Sequence, residues 1–150
     1  MNISHEFPDS FHRVTIKGMC VRQGRLLLVK ESTKLSGKWE LPGGGLDFGE
    51  DIKEGFKREI KEEMGLQIGK ISRSPVYVWT HKFEKKRGLE WFFSFVTAFR
   101  IEFKNLDFTP TDECEEIRFF SAEELCTIEL CGQTKDLPGI FDPADFSEAF

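Results

Sequence analysis

Several classes of protein are excluded by what the sequence lacks. No apolar run in its 150 residues approaches the ~20 that a membrane-spanning helix needs. The opening residues, Met1 to Glu6, do not show the basic-then-apolar order of a secretory signal, so the expected compartment is cytoplasmic and no membrane partner is expected. Basic residues are not in excess: 21 Lys plus Arg face 26 Asp plus Glu, for a net charge of −5. Such a balance argues against tracking a long nucleic acid, which wants a basic face, but leaves room for a small phosphorylated ligand held through a metal ion. The four cysteines (Cys20, Cys114, Cys126 and Cys131) contain no C-x-x-C pair and no histidine at zinc spacing, so they read as reduced thiols. Internal repeats, low-complexity tracts and an interdomain linker are all missing, which makes residues 1–150 one expected domain.

What is present is a mixed α+β pattern. Residues 12–21 read as a strand with Val14, Ile16, Gly18 and Cys20 on one face, and residues 25–30 as a central strand apolar on both faces. Trp39-Glu40-Leu41 is a short strand stopped by Pro42, and Gly43-Gly44-Gly45 reads as a tight turn ahead of a helix over about 50–64 that Gly65 closes. Residues 76–83 and 91–103 are strands. Five of the sixteen phenylalanines lie in the second, where Trp91, Phe93, Phe95, Phe99, Ile101 and Phe103 alternate on one face that is expected to be buried, and its length predicts a bend or bulge. Between the two lies a basic tip, Lys82, Lys85, Lys86 and Arg87, suited either to phosphates or to a solvated hairpin end. Glu116–Phe120 is a further strand, Ser121 to Glu124 a capping box, and Asp142-Pro143 the start of a terminal helix.

The chemistry concentrates in the long helix. On a wheel, Ile52, Phe56, Ile60 and Met64 form an apolar stripe facing the core, while Lys53, Glu54, Lys57 and Lys61 face water. Glu59, Glu62 and Glu63 border the stripe on adjacent turns, where each like-charge pair costs roughly 0.2–0.5 kcal/mol. They also face the negative end of the helix dipole, and Arg58 is a single nearby cation. A divalent ion with a taste for hard oxygen, Mg²⁺ or Mn²⁺, would relieve all three at once, whereas a solvated acidic face is the bland alternative.

Gly44, Glu50, Arg58-Glu59-Ile60, Glu62-Glu63, Gly65 and Leu66 fit the pattern G-x5-E-x7-R-E-U-x-E-E-x-G-U, with U a bulky aliphatic residue. Nine fixed positions over 23 residues make the segment closely resemble the signature of the Nudix hydrolases. The flanks resemble the family as well: Trp39 to Gly44 before the signature and Glu113 to Ser121 after it. The resemblance implies an α/β/α sandwich with a mixed sheet, and a divalent-metal-dependent hydrolase that cleaves a diphosphate bond in a nucleoside diphosphate linked to X. It implies Glu59 and Glu63 as principal metal ligands with Glu62 close behind, Arg58 orienting them, and Glu50 supporting the loop or pairing with Arg58. Gly43, Gly44 and Gly45 would shape the backbone, with a carbonyl within reach of the metal. Glu59 is the first choice for general base, with Glu113 or Glu116 as alternatives. The compact length and the LPGGG run fit a MutT-like nucleoside triphosphate pyrophosphohydrolase; ADP-ribose or a nucleotide sugar comes second, and a non-catalytic nucleotide sensor is the alternative from another class. Tyr77, Trp79, Trp91 and Phe92 are aromatics available to stack a base. By analogy a homodimer is open, through the Phe-rich strand or the tail with Phe141, Phe146 and Phe150.

Overall fold

A computed structural model describes residues 11–86 and 88–150. Arg87 of the basic tip and His5 therefore lie outside the described residues. Among the described residues nine strands and two α-helices run in the order β1 (His12–Met19), β2 (Val21–Arg22), β3 (Arg25–Glu31), β4 (Trp39–Glu40), β5 (Gly43–Gly45), α1 (Ile52–Met64), β6 (Ile68–Ile71), β7 (Tyr77–Lys86), β8 (Leu89–Phe103), β9 (Cys114–Phe120) and α2 (Ala122–Leu125). One sheet has the order β5-β1-β8-β6, with β7 also paired to β8; the other has the order β2-β3-β4, with β9 on β3. The pairing of β1 with β8 is parallel, whereas β5 with β1 and β6 or β7 with β8 are antiparallel, so the first sheet is mixed. Among the described residues no helix is long and apolar enough to cross a membrane.

Two cores flank the sheets. Phe56, Ile60 and Met64 of α1 pack on Ile16, Leu27, Val29 and Ile101. On the opposite side Leu26, Leu28 and Met19 meet Leu125, Leu137 and Phe141. Alternate residues of β3 thus enter different cores, which is why its run is continuously apolar. The result is the α/β/α sandwich, with each buried stripe residue of α1 contributing roughly 1.5–3 kcal/mol. Ile52 departs from the wheel: it is 45% exposed, because the first turn of α1 runs past the packed region. Asp51 caps this end by accepting from the backbone N–H of Lys53 and Glu54, and Gly65 ends the helix in the left-handed region at φ 70°.

β8 is buried on one face and then on the other. Phe92, Ser94, Val96 and Ala98 are buried in its first half and Phe99, Ile101 and Phe103 in its second, leaving Trp91 45% and Phe95 37% exposed. The expected single buried face fails because α1 covers only the later part of the strand's odd side. Its register with β1 is unbroken over eight pairs; the irregularity lies opposite, in β6 between Ile68 and Lys70.

The tail folds over the second core. A 3-10 segment, Gly132–Gly139, was not foreseen, and the expected terminal helix is a 3-10 turn over Pro143–Phe146. Phe141 and Phe146 are buried there, which removes them from any dimer interface; Phe150 is 38% exposed.

Candidate active site

Three glycines set the distance between α1 and the first sheet. Rather than a turn at the helix head, Gly43–Gly45 form a strand paired with Lys17, Ile16 and Thr15, and α1 begins only at Ile52. Gly43 adopts φ 121°, and a Cβ there would fall 2.2 Å from the carbonyl oxygen of Ile16. At Gly44 a Cβ would fall 2.5 Å from Oε2 of Glu59. Glycine is what lets the Glu59 carboxylate lie against the backbone of β5.

Arg58 gathers most of the acidic border. Its Nε donates to Glu50 Oε2 at 2.7 Å and its Nη2 to Glu50 Oε1 at 3.0 Å, a two-pronged pair. Its Nη1 donates at 3.1 Å to both Glu59 Oε1 and Glu62 Oε2. The Arg58 bonds, helped by the backbone N–H of Asp47, pull the Glu50 carboxyl down to about 2. The three signature glutamates therefore do not converge on one point. Arg58 offsets part of the charge of Glu59 and Glu62, one guanidinium shared among three carboxylates with Glu50, so an arginine one residue and one turn away softens the repulsion expected along this border and leaves net negative charge there.

Glu63 is the exception. Its Oε2 accepts a long bond from the Gly43 N–H at 3.4 Å, and its buried Oε1 has no hydrogen-bond partner among the described residues. Burial pushes this carboxyl up to about 8; the Lys17 ammonium opposes the rise, and the Glu40 charge adds to it. Lys17 is 3% exposed and donates to the carbonyls of Leu41 at 3.1 Å and Gly43 at 2.8 Å, while forming an ion pair with Glu40. Burial alone would lower its pKa, but the facing carboxylates of Glu40 and Glu63 raise it above the ordinary lysine value. Glu40 would likewise rise with burial, and Lys17 instead holds it low. Beside it, burial and the Glu40 carboxylate raise Glu31.

These groups line adjoining cavities. One of about 220 Å³ is bounded by Lys17, Glu40, the three glycines and Glu63, with Phe83, Lys86 and Gln133 opposite. A smaller one of about 70 Å³ places Glu113 beside Glu31, Glu40 and Glu63. Glu116 is elsewhere, paired with Arg118. Of the four aromatics proposed to stack a base, only Phe92 lines the cavity, against Phe83 at 5.2 Å between ring centroids. Tyr77 is tied to Asp145 at 2.6 Å and Trp79 to the Gln133 carbonyl at 3.0 Å, so both secure the tail. Trp91 lies outside, capped by Lys82. At the basic tip Lys82 pairs with Glu84, whereas Lys86 lies over the Phe83 ring and reaches the cavity.

Sequence reasoning passed over Lys17, Glu31, Phe83 and Gln133. Lys17 carried a usable signal, a lone charge amid the strand residues Val14 to Met19. Phe83 and Gln133 reach the site through long-range pairing that no local spacing displays.

An orphaned buried carboxylate oxygen on Glu63 and a glycine-thin strand beside it, with Glu59 against the same strand, fit a hard divalent cation that these two carboxylates would hold. The comparisons with known proteins agree with this reading of the fold. The NUDIX domain family matches residues 12–140. A MutT-like protein of Streptomyces ambofaciens is 39% identical over 67 residues, 44% of this chain; the match spans only 42% of that relative. The nucleoside triphosphatase NudI of Enterobacter sp. (strain 638) is 30% identical over 105 residues, 66% of this chain and 72% of that one. The crystal structure of a MutT protein from Methanosarcina mazei Go1 shares the fold, with TM-score 0.67 at 24% identity, covering 95% of this chain and all of that one (100%). The fold is that of the Nudix hydrolases. This chain belongs to the Nudix family and is a Nudix hydrolase, a family generally dependent on divalent metal.

Proposed function

We propose that the protein hydrolyses nucleoside triphosphates to a nucleoside monophosphate and pyrophosphate, using Mg²⁺ or Mn²⁺ bound by Glu59 and Glu63 with Glu62 at the rim. The observation that carries the reading is the buried Glu63 carboxylate beside the Gly43–Gly45 strand, whose Oε1 lacks a partner among the described residues. When bound, the metal neutralises charge on the polyphosphate and templates in-line attack by water.

The chain's own residues do the rest. Arg58 fixes the Glu59 carboxylate through Oε1, leaving Oε2 against Gly44 to take the attacking water's proton. Glu113 is the second candidate for that proton, since it lines the cavity beside Glu63. Lys86 supplies positive charge at the cavity mouth for the phosphates, and the stacked pair of Phe83 and Phe92 offers an apolar wall. The 30% identical nucleoside triphosphatase supports a triphosphate over ADP-ribose or a nucleotide sugar. Residues 1–150 are proposed to act as one domain, in the cytosol, with the exposed Trp91–Phe95 face as the place for a homodimer contact.

The test is product release from a nucleotide panel with Mg²⁺, comparing the native chain with Glu59→Gln and Glu63→Gln. Pyrophosphate release from triphosphates, lost in both variants, is expected. AMP release confined to ADP-ribose would move the substrate, and binding without turnover would overturn the reading.

A further inference from the structure

Lys17 is a costly residue to place in the middle of β1. A lysine is almost never fully buried unless its charge is matched, and an ammonium has three donors to satisfy. Here all three are taken: by the Leu41 carbonyl at 3.1 Å, the Gly43 carbonyl at 2.8 Å and the Glu40 carboxylate. The partners are oxygens only, two of them backbone carbonyls, the donor type that hard cations also take. The same ammonium lines the cavity that holds Glu63. Nearby, Glu31, Glu40 and Cys131 bring their ligand atoms within 4.8 Å of one another, a cluster able to hold a metal ion of its own if Glu40 were not already engaged. Gln133, bonded to Ser94 at 2.8 Å, and Ser94, bonded to Thr15 at 2.9 Å, brace this corner from behind.

We propose that Lys17 is a positioning residue that serves as the site's resident cation. Its ammonium fills the oxygen-lined corner made by Glu40 and the carbonyls of Leu41 and Gly43, and so confines a divalent ion to the Glu59 and Glu63 side. It also fixes the carbonyl face of the glycine strand against which that ion is bound. The inference rests on the metal assignment made above for Glu59 and Glu63.

The experiment is Mn²⁺ binding to the full chain without nucleotide, followed by titration calorimetry and by the electron spin resonance signal of free Mn²⁺. In Lys17→Met the corner loses its cation, and one Mn²⁺ more than in the native chain is expected to bind; adding Glu40→Gln to that variant should abolish the extra ion. In the native background Glu40→Gln, which still accepts from the ammonium, should change Mn²⁺ affinity by less than about twofold, since Lys17 and not the metal neutralises Glu40. A merely structural lysine would lower the melting temperature of Lys17→Met while leaving the stoichiometry unchanged, and that result overturns the proposal. A loss of tenfold or more in Glu40→Gln would overturn it too, and this arm decides alone if Lys17→Met does not fold. Failure of the underlying metal assignment is distinguishable: Glu63→Gln would then leave native Mn²⁺ binding intact, whatever the Lys17 variant does.

Discussion

The two flanks of helix α1 hold carboxylates of the same signature in opposite electrostatic states. On the outer flank Glu50, Glu59 and Glu62 share the forked guanidinium of Arg58, and Glu62 is 57% exposed. On the inner flank Glu63 is sealed beneath the glycine strand, with one oxygen unpartnered among the described residues and its pKa pushed up to about 8 by burial. A guanidinium is planar and can hold several carboxylates at an open rim, but it cannot follow one into the corner that Lys17 and Glu40 already fill. Adjacent positions in one motif therefore do different work. Arg58 sets the geometry of the outer flank, and the inner flank holds a buried carboxyl that a bound cation would ionise.

That difference can be broken most directly at its inner end. Glu63→Gln removes the proposed metal ligand while keeping the shape, and turnover with Mg²⁺ should fall by on the order of 10³-fold in steady-state assays. On the outer flank, Arg58→Lys keeps the charge but loses the fork that orients Glu59. A fall in kcat of about 10–100-fold is expected, with the fold retained. A subtler contrast lies in pH. Metal-free folded protein keeps the Glu63 proton up to about 8, while an unfolded chain gives it up near the ordinary value of 4.5. Between those values the folded state binds the extra proton, so this group's stabilisation is complete below the lower value and is lost as pH rises through the upper one. Denaturant melts should show a slope of up to about 1.4 kcal/mol per pH unit that Glu63→Gln flattens. The smallest effect belongs to Glu62→Gln: an exposed partner of Arg58, it should change stability by less than about 0.5 kcal/mol, and rates by less than Arg58→Lys does.

Much of this arrangement was legible in the chain. The spacing of Phe56, Ile60 and Met64 and the stop at Gly65 follow from short-range rules of helices, while the pairing of Glu50 with Arg58 is one of the two roles that the family resemblance implied for Glu50; all are found. The signature pointed to Glu59, Glu62 and Glu63 but not to their inequality, since a helix wheel shows direction and not depth. The buried face of β8 was misread because the alternation of Trp91 to Phe103 is uniform while the layer covering it is not. Lys17, Phe83 and Gln133 are joined at the site by strand pairing and by the tail, across separations that periodicity does not see. The tail itself was opaque because Leu137, Phe141 and Phe146 enter the second core from 3-10 segments, whose short pieces leave little pattern.

The central claim, that Glu63 is a protonated carboxyl waiting for a divalent ion, is tested most directly by counting protons when that ion binds. At pH 7, calorimetric titration with Mn²⁺ in buffers of different ionisation enthalpy should show about one proton released per ion by the native chain, because binding needs the carboxylate form. Glu63→Gln should release none. Equal proton release from both chains, or Mn²⁺ binding of equal strength in both, would contradict the account.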